Sequence, residues 1–329
     1  MGTKTVSDTY KDIGKRKTSF VNDLIDFKAK ENPSWRKKDM PSVETMLKEI
    51  IEFHKRWNLV QNRFGTEELN KVNSDFFVQF IFRVNHEEGH GFKTYEETKR
   101  CLTNFESQLR RDVSLKERET VNLSAAHKYL VELAEKENDT KLKGLLESSV
   151  LQEVHKRIFY NIELPRKLTE PGKFSNLRRY TQFGGEKYEY PILENMHESV
   201  ATLLDRYNSL LMSIKTEEDD LTRIYDLFKT CAVLLFELLD LHPFSDGNGR
   251  LSRLLCNYCL SICTPFPMPI YNIWNSSSKD DYIQMLVDAR KSNMRYPESL
   301  VTMIIECNWF GWKTYFKALQ TCKLEDFRH

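Results

Sequence analysis

Glycine and proline are both scarce in this chain, 12 and 10 of 329 residues. That leaves too few turn-formers for an all-β sandwich or barrel, and apolar residues recur instead at helical spacing. Charge of one sign is also missing. Lys+Arg number 49 against Asp+Glu 48, so no global field draws the chain to nucleic acid or to an anionic membrane. No apolar run approaches the roughly 18 residues of a membrane-spanning helix. The opening residues hold no apolar segment of the kind that drives secretion. They resemble a myristoylation signal only in their first two positions, because Val6 stands where Ser or Thr is wanted. Seven cysteines, an odd number without a secretion signal, read as reduced thiols. The expectation is a cytoplasmic protein, with the nucleus also open to it, and with neither nucleic acid nor membrane as partner. Neither a repeat nor a low-complexity tract interrupts the chain.

Hydrophobic residues are 40% and charged residues 29% of the chain, enough to build a large core. The stretch SVETMLKEIIEFHKRW predicts a helix capped by Ser42, with Glu44 in its first turn. SDFFVQFIFRV predicts another, with Ser74 and Asp75 as its caps. YEETKRCLTNFESQLRR, NLSAAHKYLVELAEK and SSVLQEVHKRIFYNI are amphipathic, and EKENDTKLKG is a solvated turn between the last two. TEEDDLTRIYDLFKTCAVLLFELLDL starts acidic and becomes apolar all round, as a helix at the centre of a domain does. SSSKDDYIQMLVDARK opens with a capping pair, Ser278 and Asp281. Cys256, Cys259 and Cys263 share one helical face. No histidine is near and the face is otherwise apolar, so core packing outweighs a metal site. One segment departs from the helical pattern: NLRRYTQFGGEKYEYP alternates polar and aromatic residues around Gly184-Gly185, a hairpin signal. It is either a surface excursion or a flap that pairs its free edge with an extended peptide.

The chemistry concentrates in HPFSDGNGRLSR, residues 242–253. Pro243 disfavours helical geometry at the preceding residue, so His242 sits where the apolar helix exits. Phe244 turns back toward the core. Asp-Gly-Asn-Gly then tolerates positive φ and feeds a new helix, whose first N–H groups can face an anion. Arg250 and Arg253, three apart, lie on one side of that helix and can both reach phosphates. Asp246 suits Mg²⁺, and His242 suits taking a proton from a hydroxyl. These parts describe Mg²⁺–nucleotide chemistry with a general base. The plain alternative, an Asn-Gly turn beside an idle histidine, fits poorly because such turns join strands.

HPFSDGNGRLSR resembles the signature of the Fic (Fido) family, His-x-Phe-x-Asp/Glu-Gly-Asn-Gly-Arg-x-x-Arg, at every fixed position. The resemblance runs from about residue 122 to 309. SVLQEVHKRIF is similar to the helix before the family's flap, PGKF to the glycine-aromatic step into it, and DYIQMLVDARK to the helix closing over the nucleotide base. It implies an all-α Fic fold with a short β-hairpin flap: an N-terminal helical region over 1–120 and a catalytic core over 121–329. The implied reaction is transfer of AMP from Mg²⁺-ATP to a Ser, Thr or Tyr hydroxyl of a target protein, with His242 as base and Asp246 holding the metal. Gly247, Asn248 and Gly249 would cradle the phosphates, Arg250 and Arg253 would hold their far end, and Tyr282 would wall the adenine pocket. The target would dock at the flap, about 176–191, and a homodimer is possible within the family. Ser175 and Arg290 depart from the family pattern, which usually has an arginine and a base-contacting asparagine there.

FIFRVNHEEGHGF admits two readings. His86-Glu87-Glu88-Gly89-His90 fits H-E-x-x-H, the zinc pattern of metalloproteases, although Gly89 and Gly91 weaken the helix that pattern requires. The other reading comes from the resemblance. Family members with an N-terminal inhibitory helix carry Ser/Thr-x-x-x-Glu-Gly/Asn, and Glu88-Gly89 matches its second half while Val84 replaces the Ser/Thr. An inhibitory helix near 76–91 would then set Glu88 against Arg253, in the place of the ATP γ-phosphate. Removal of AMP by the same site, and a catalytically idle scaffold, are the remaining alternatives.

Overall fold

The computed structural model describes residues 24–104, 113–136, 144–165, 168–183, 185–274 and 279–326. It is mostly helical, with ten α-helices and one two-stranded antiparallel hairpin among those residues. The helices are α1 (Val43–Val60), α2 (Thr66–Glu88), α3 (Tyr95–Asn104), α4 (Leu115–Lys136), α5 (Ser148–Ile158), α6 (Met196–Lys215), α7 (Asp220–Leu241), α8 (Asn248–Leu260), α9 (Lys279–Lys291) and α10 (Glu298–Asp326). The hairpin, β1 (Tyr180–Phe183) and β2 (Glu186–Glu189), sits between α5 and α6. No described helix is long and apolar enough to cross a membrane.

The all-round apolar stretch forms α7, the centre of the fold, packed against α8, α6, α10 and α1. Its residues Phe228, Cys231, Ala232 and Leu235 are fully buried. One hydrophobic core runs from α1 through α10, so the N-terminal helices and the segment after residue 121 share it. The 120/121 division falls inside α4. Cys256 and Cys259 of α8 and Cys263 just beyond its end are all buried in this core, and all seven cysteines are free thiols.

Several local signals hold. Ser42 caps α1, its Oγ accepting the Thr45 N–H at 3.1 Å. Asp219 caps α7 by accepting from Thr222 N–H at 2.8 Å. The hairpin pairs Tyr180 with Glu189 and Phe183 with Glu186, and Gly185 supplies the positive φ of the turn. Gly184 and Ser278 lie outside the described residues, as does most of EKENDTKLKG. The helix expected near 76–91 instead begins at Thr66 and ends at Glu88. Ser74 and Asp75 are therefore interior, not caps. Glu68 accepts the Gly65 N–H at 2.7 Å and starts the helix earlier. Asp75 faces outward and pairs with Lys99 on α3 at 2.7 Å. Two helices carry no counterpart in the sequence reading: α6, capped by Asn195, and α10, whose apolar residues surround the axis.

Candidate functional site

The site begins where α7 stops. His242 adopts the left-handed conformation (φ 52°, ψ 58°) as the helix C-cap, a geometry that costs a non-glycine residue about 1–2 kcal/mol. Its backbone is held at both ends. The N–H donates to Leu238 O at 2.9 Å, and the carbonyl accepts from Arg179 Nη1 at 2.6 Å. The imidazole stacks on Tyr190, with ring centroids 3.8 Å apart and planes 15° from parallel. Nδ1 lies 3.3 Å from Leu239 O. A carbonyl only accepts, so Nδ1 carries the proton and Nε2 keeps its lone pair. Burial, then the Arg179 cation, push the imidazole pKa down to about 3, so the ring is neutral at pH 7.

The loop after it is built from reciprocal contacts. Asn248 closes it with its side-chain amide: Oδ1 accepts Phe244 N–H at 3.0 Å and Nδ2 donates to Phe244 O at 2.8 Å. That amide is thereby used up on the loop. Phe244 is buried and stacks on His155 of α5 at 3.9 Å. His155 Nδ1 accepts the Gly172 N–H at 2.9 Å, which leaves Nε2 as the donor to Asp246 O at 3.0 Å. Burial holds this histidine's pKa down to about 4. The Asp246 side chain is exposed at the mouth, Oδ1 accepting the Gly247 N–H at 2.6 Å. Gly247 has φ 74°, and a Cβ there would lie 2.5 Å from the Phe159 ring, so only glycine fits.

At the head of α8 two arginines are buried. The Arg250 guanidinium lies 4.9 Å from the Phe159 ring centroid, and its Nε and Nη1 have no acceptor among the described residues. Arg253 pairs through Nη1 with Glu88, the last residue of α2. Its guanidinium also stands 4.1 Å over the Tyr282 ring of α9. Burial presses the Arg253 pKa down, but Glu88, with Tyr282 and Glu87 beside it, together more than offset that, and the net shift is upward. A Cβ on Gly249 would collide with the Glu88 carboxylate. The acid therefore rests on the first turn of α8, where helix dipole and arginine both favour negative charge. Tyr282 is buried with its ring face turned to Arg253, so in this arrangement it is a wall against the guanidinium.

The two departures from the family pattern are both engaged. Ser175 is buried, and its N–H donates to Pro243 O at 2.8 Å, tying the flap's start to the loop. Arg290 Nε donates to Asp240 Oδ1 at 2.6 Å, and its guanidinium lies 3.9 Å from the Tyr188 ring. Asp240 is fully buried and also takes Arg295 and, at 2.6 Å, the Tyr188 hydroxyl. Hairpin, α7 and α9 thus meet on one carboxylate. Sequence reasoning missed Asp240, Arg179 and His155; an aspartate inside the apolar run LLFELLDLHP was the one available signal.

The zinc geometry does not form. Gly89, with φ 79°, ends α2 at Glu88, so His86 and His90 do not share a helical face. His90 Nδ1 instead contacts Glu119 at 2.7 Å, and Glu87 is buried. Among the described residues no group of three or more His, Cys, Asp or Glu side chains is arranged to hold a metal.

A family model described as Fic/DOC family matches residues 145–260, from the start of α5 through α8. The chain carries a Fic/DOC domain. Over 130 residues it is 29% identical to a Fido domain-containing protein of Dictyostelium discoideum, covering 39% of this chain and 81% of that protein. It is 29% identical over 168 residues to a protein adenylyltransferase Fic of Aedes aegypti, 51% of this chain. Only 29% of the mosquito protein's length is spanned. Beyond the family match, the whole fold is similar to the crystal structure of a Fic domain-containing signaling protein from Bacteroides thetaiotaomicron. That likeness has a TM-score of 0.66 at 20% identity, covering 84% of this chain and 97% of the other.

Proposed function

We propose that this Fic-domain chain is a protein adenylyltransferase that moves AMP from ATP to a Ser, Thr or Tyr hydroxyl, and that Glu88 holds it mostly inactive. The observation that carries the reading is an anion site partly filled by the protein's own acid. Arg250 keeps buried donors without an acceptor, while Glu88 rests on the first turn of α8 and pairs with Arg253. Buried donors without partners cost about 1–3 kcal/mol each, and a phosphate chain would satisfy them. The two arginines and the backbone of 247–249 would hold it. Asp246, exposed at the mouth, suits Mg²⁺, which supplies charge neutralisation when bound.

His242 takes the acceptor's proton on Nε2 as the hydroxyl oxygen bonds to the α-phosphorus and the bond to pyrophosphate breaks. An imidazole of pKa about 3 is a weak base. Phosphates beside it would reverse the sign of the local field and raise its proton affinity, so the base is armed only with nucleotide in place. The test is incubation with α-labelled ATP and Mg²⁺. Glu88→Gly should label the chain or an added lysate at least tenfold faster than the unaltered protein. Adding His242→Ala should abolish it. If Glu88→Gly neither incorporates label nor retains ATP, the reading is wrong.

A further inference from the structure

We infer that Arg179 is a positioning residue that fixes His242 and both ends of the hairpin as one unit. Its consequence for catalysis rests on the adenylyltransferase reading. Arg179 is buried just before β1. Nη1 donates to Ser175 O at 3.1 Å and to His242 O at 2.6 Å, and Nη2 donates to Pro191 O at 2.9 Å. Its own carbonyl accepts the Tyr190 N–H at 2.9 Å. One side chain therefore spans the residue where the flap begins, the residue where it ends, and the strained C-cap between α7 and the phosphate loop. Only a planar fork reaches three diverging carbonyls this way.

Two features separate this from ordinary packing. No carboxylate pairs with Arg179 among the described residues, so a buried cation is kept on carbonyl dipoles alone, a costly arrangement. Its charge also acts on the neighbouring ring, second only to burial among the influences on His242. The other groups facing that ring are Tyr190 stacked from the hairpin's end, Arg290 from α9, and Asp240 from α7. Arg290 and Asp240 are paired with each other, which leaves Arg179 as the cation whose charge no carboxylate offsets. Loss of the fork would let the left-handed His242 relax, turning Nδ1 off Leu239 O and freeing the imidazole to exchange tautomers. A displacement of that kind, about 1 Å, is enough to cost about 10²-fold in rate.

The experiment uses the full chain carrying Glu88→Gly, with Arg179→Met and Arg179→Lys added singly. Nitrogen NMR of the His242 imidazole reads the tautomer without nucleotide. AMP incorporation into the chain itself, or into lysate protein, reads kcat and the KM for ATP. Parent protein should show one Nδ1–H tautomer. Arg179→Met should show a mixture and a kcat lower by about 10²-fold, with KM for ATP within about twofold. Arg179→Lys keeps the charge without the fork and should recover neither. If Met unfolds the chain, the Lys variant alone decides. An unchanged tautomer, or a changed tautomer with unchanged kcat, overturns the proposal. A tautomer changed in the Arg179 variants, with a parent that never incorporates AMP, instead overturns the enzymatic reading and leaves the positioning intact.

Discussion

Replacing Glu88 by alanine should cost stability that ATP then returns. The Glu88 side chain is 23% exposed and its partner Arg253 only 2%. Removing one partner of a buried pair leaves an uncompensated charge and typically costs about 3–5 kcal/mol. The partial exposure of Glu88 puts this pair near the lower end, about 3 kcal/mol. Alanine is the best helix former, so the last turn of α2 adds no penalty of its own. At about 2 °C per kcal/mol for a chain of this size, the melting temperature should fall by roughly 6 °C. ATP at a hundred times its Kd contributes about 2.7 kcal/mol, nearly the whole deficit. In the unaltered chain the same nucleotide must displace Glu88 first, so its shift should be much smaller. Scanning fluorimetry with and without ATP measures all four temperatures. Equal ATP shifts in the two proteins would refute the argument that Glu88 and nucleotide compete for Arg253.

Stability should also fall on acidification from pH 6.5 toward 4. Burial holds His127 and His155 down to about 4, while in the unfolded chain each titrates near 6.5. In that window the unfolded state binds more protons, so stability drops as pH falls, by up to about 1.4 kcal/mol per pH unit for each histidine. Urea midpoints that match at pH 7 and pH 5 would contradict this. Gly247→Ala should lower the urea midpoint by the equivalent of about 2–4 kcal/mol, adding left-handed strain to a collision with Phe159. A midpoint within error of the parent's would show that the loop can relax.

The architecture of the 242–249 loop was readable because proline, glycine and asparagine act locally. Pro243 ends α7, Gly247 alone tolerates its φ and its contact with Phe159, and Asn248 closes on Phe244 four residues back. The supports of that loop were not readable. His155 reaches Asp246 across 91 positions and Arg179 reaches His242 across 63, and no local rule encodes such meetings. The Glu88–Arg253 pair spans 165 positions and was expected only through family resemblance. Ser74 and Asp75 misled because a good capping residue exposed mid-helix looks the same in sequence as one at a terminus. α10 escaped notice for the opposite reason. Leu300, Val301, Met303, Ile304 and Ile305 are buried almost in succession, on every side of it, so no single stripe marks it as amphipathic.

Arg253 touches α2 through Glu88, α8 through its own backbone, and α9 through the Tyr282 ring. A single guanidinium that serves three helices makes their movements thermodynamically reciprocal. Whatever factor an anion bound there gains from the withdrawal of α2, the withdrawal of α2 gains from the anion. A partner that grips only the far side of α2, remote from any phosphate, could then set the nucleotide affinity of a site it never touches.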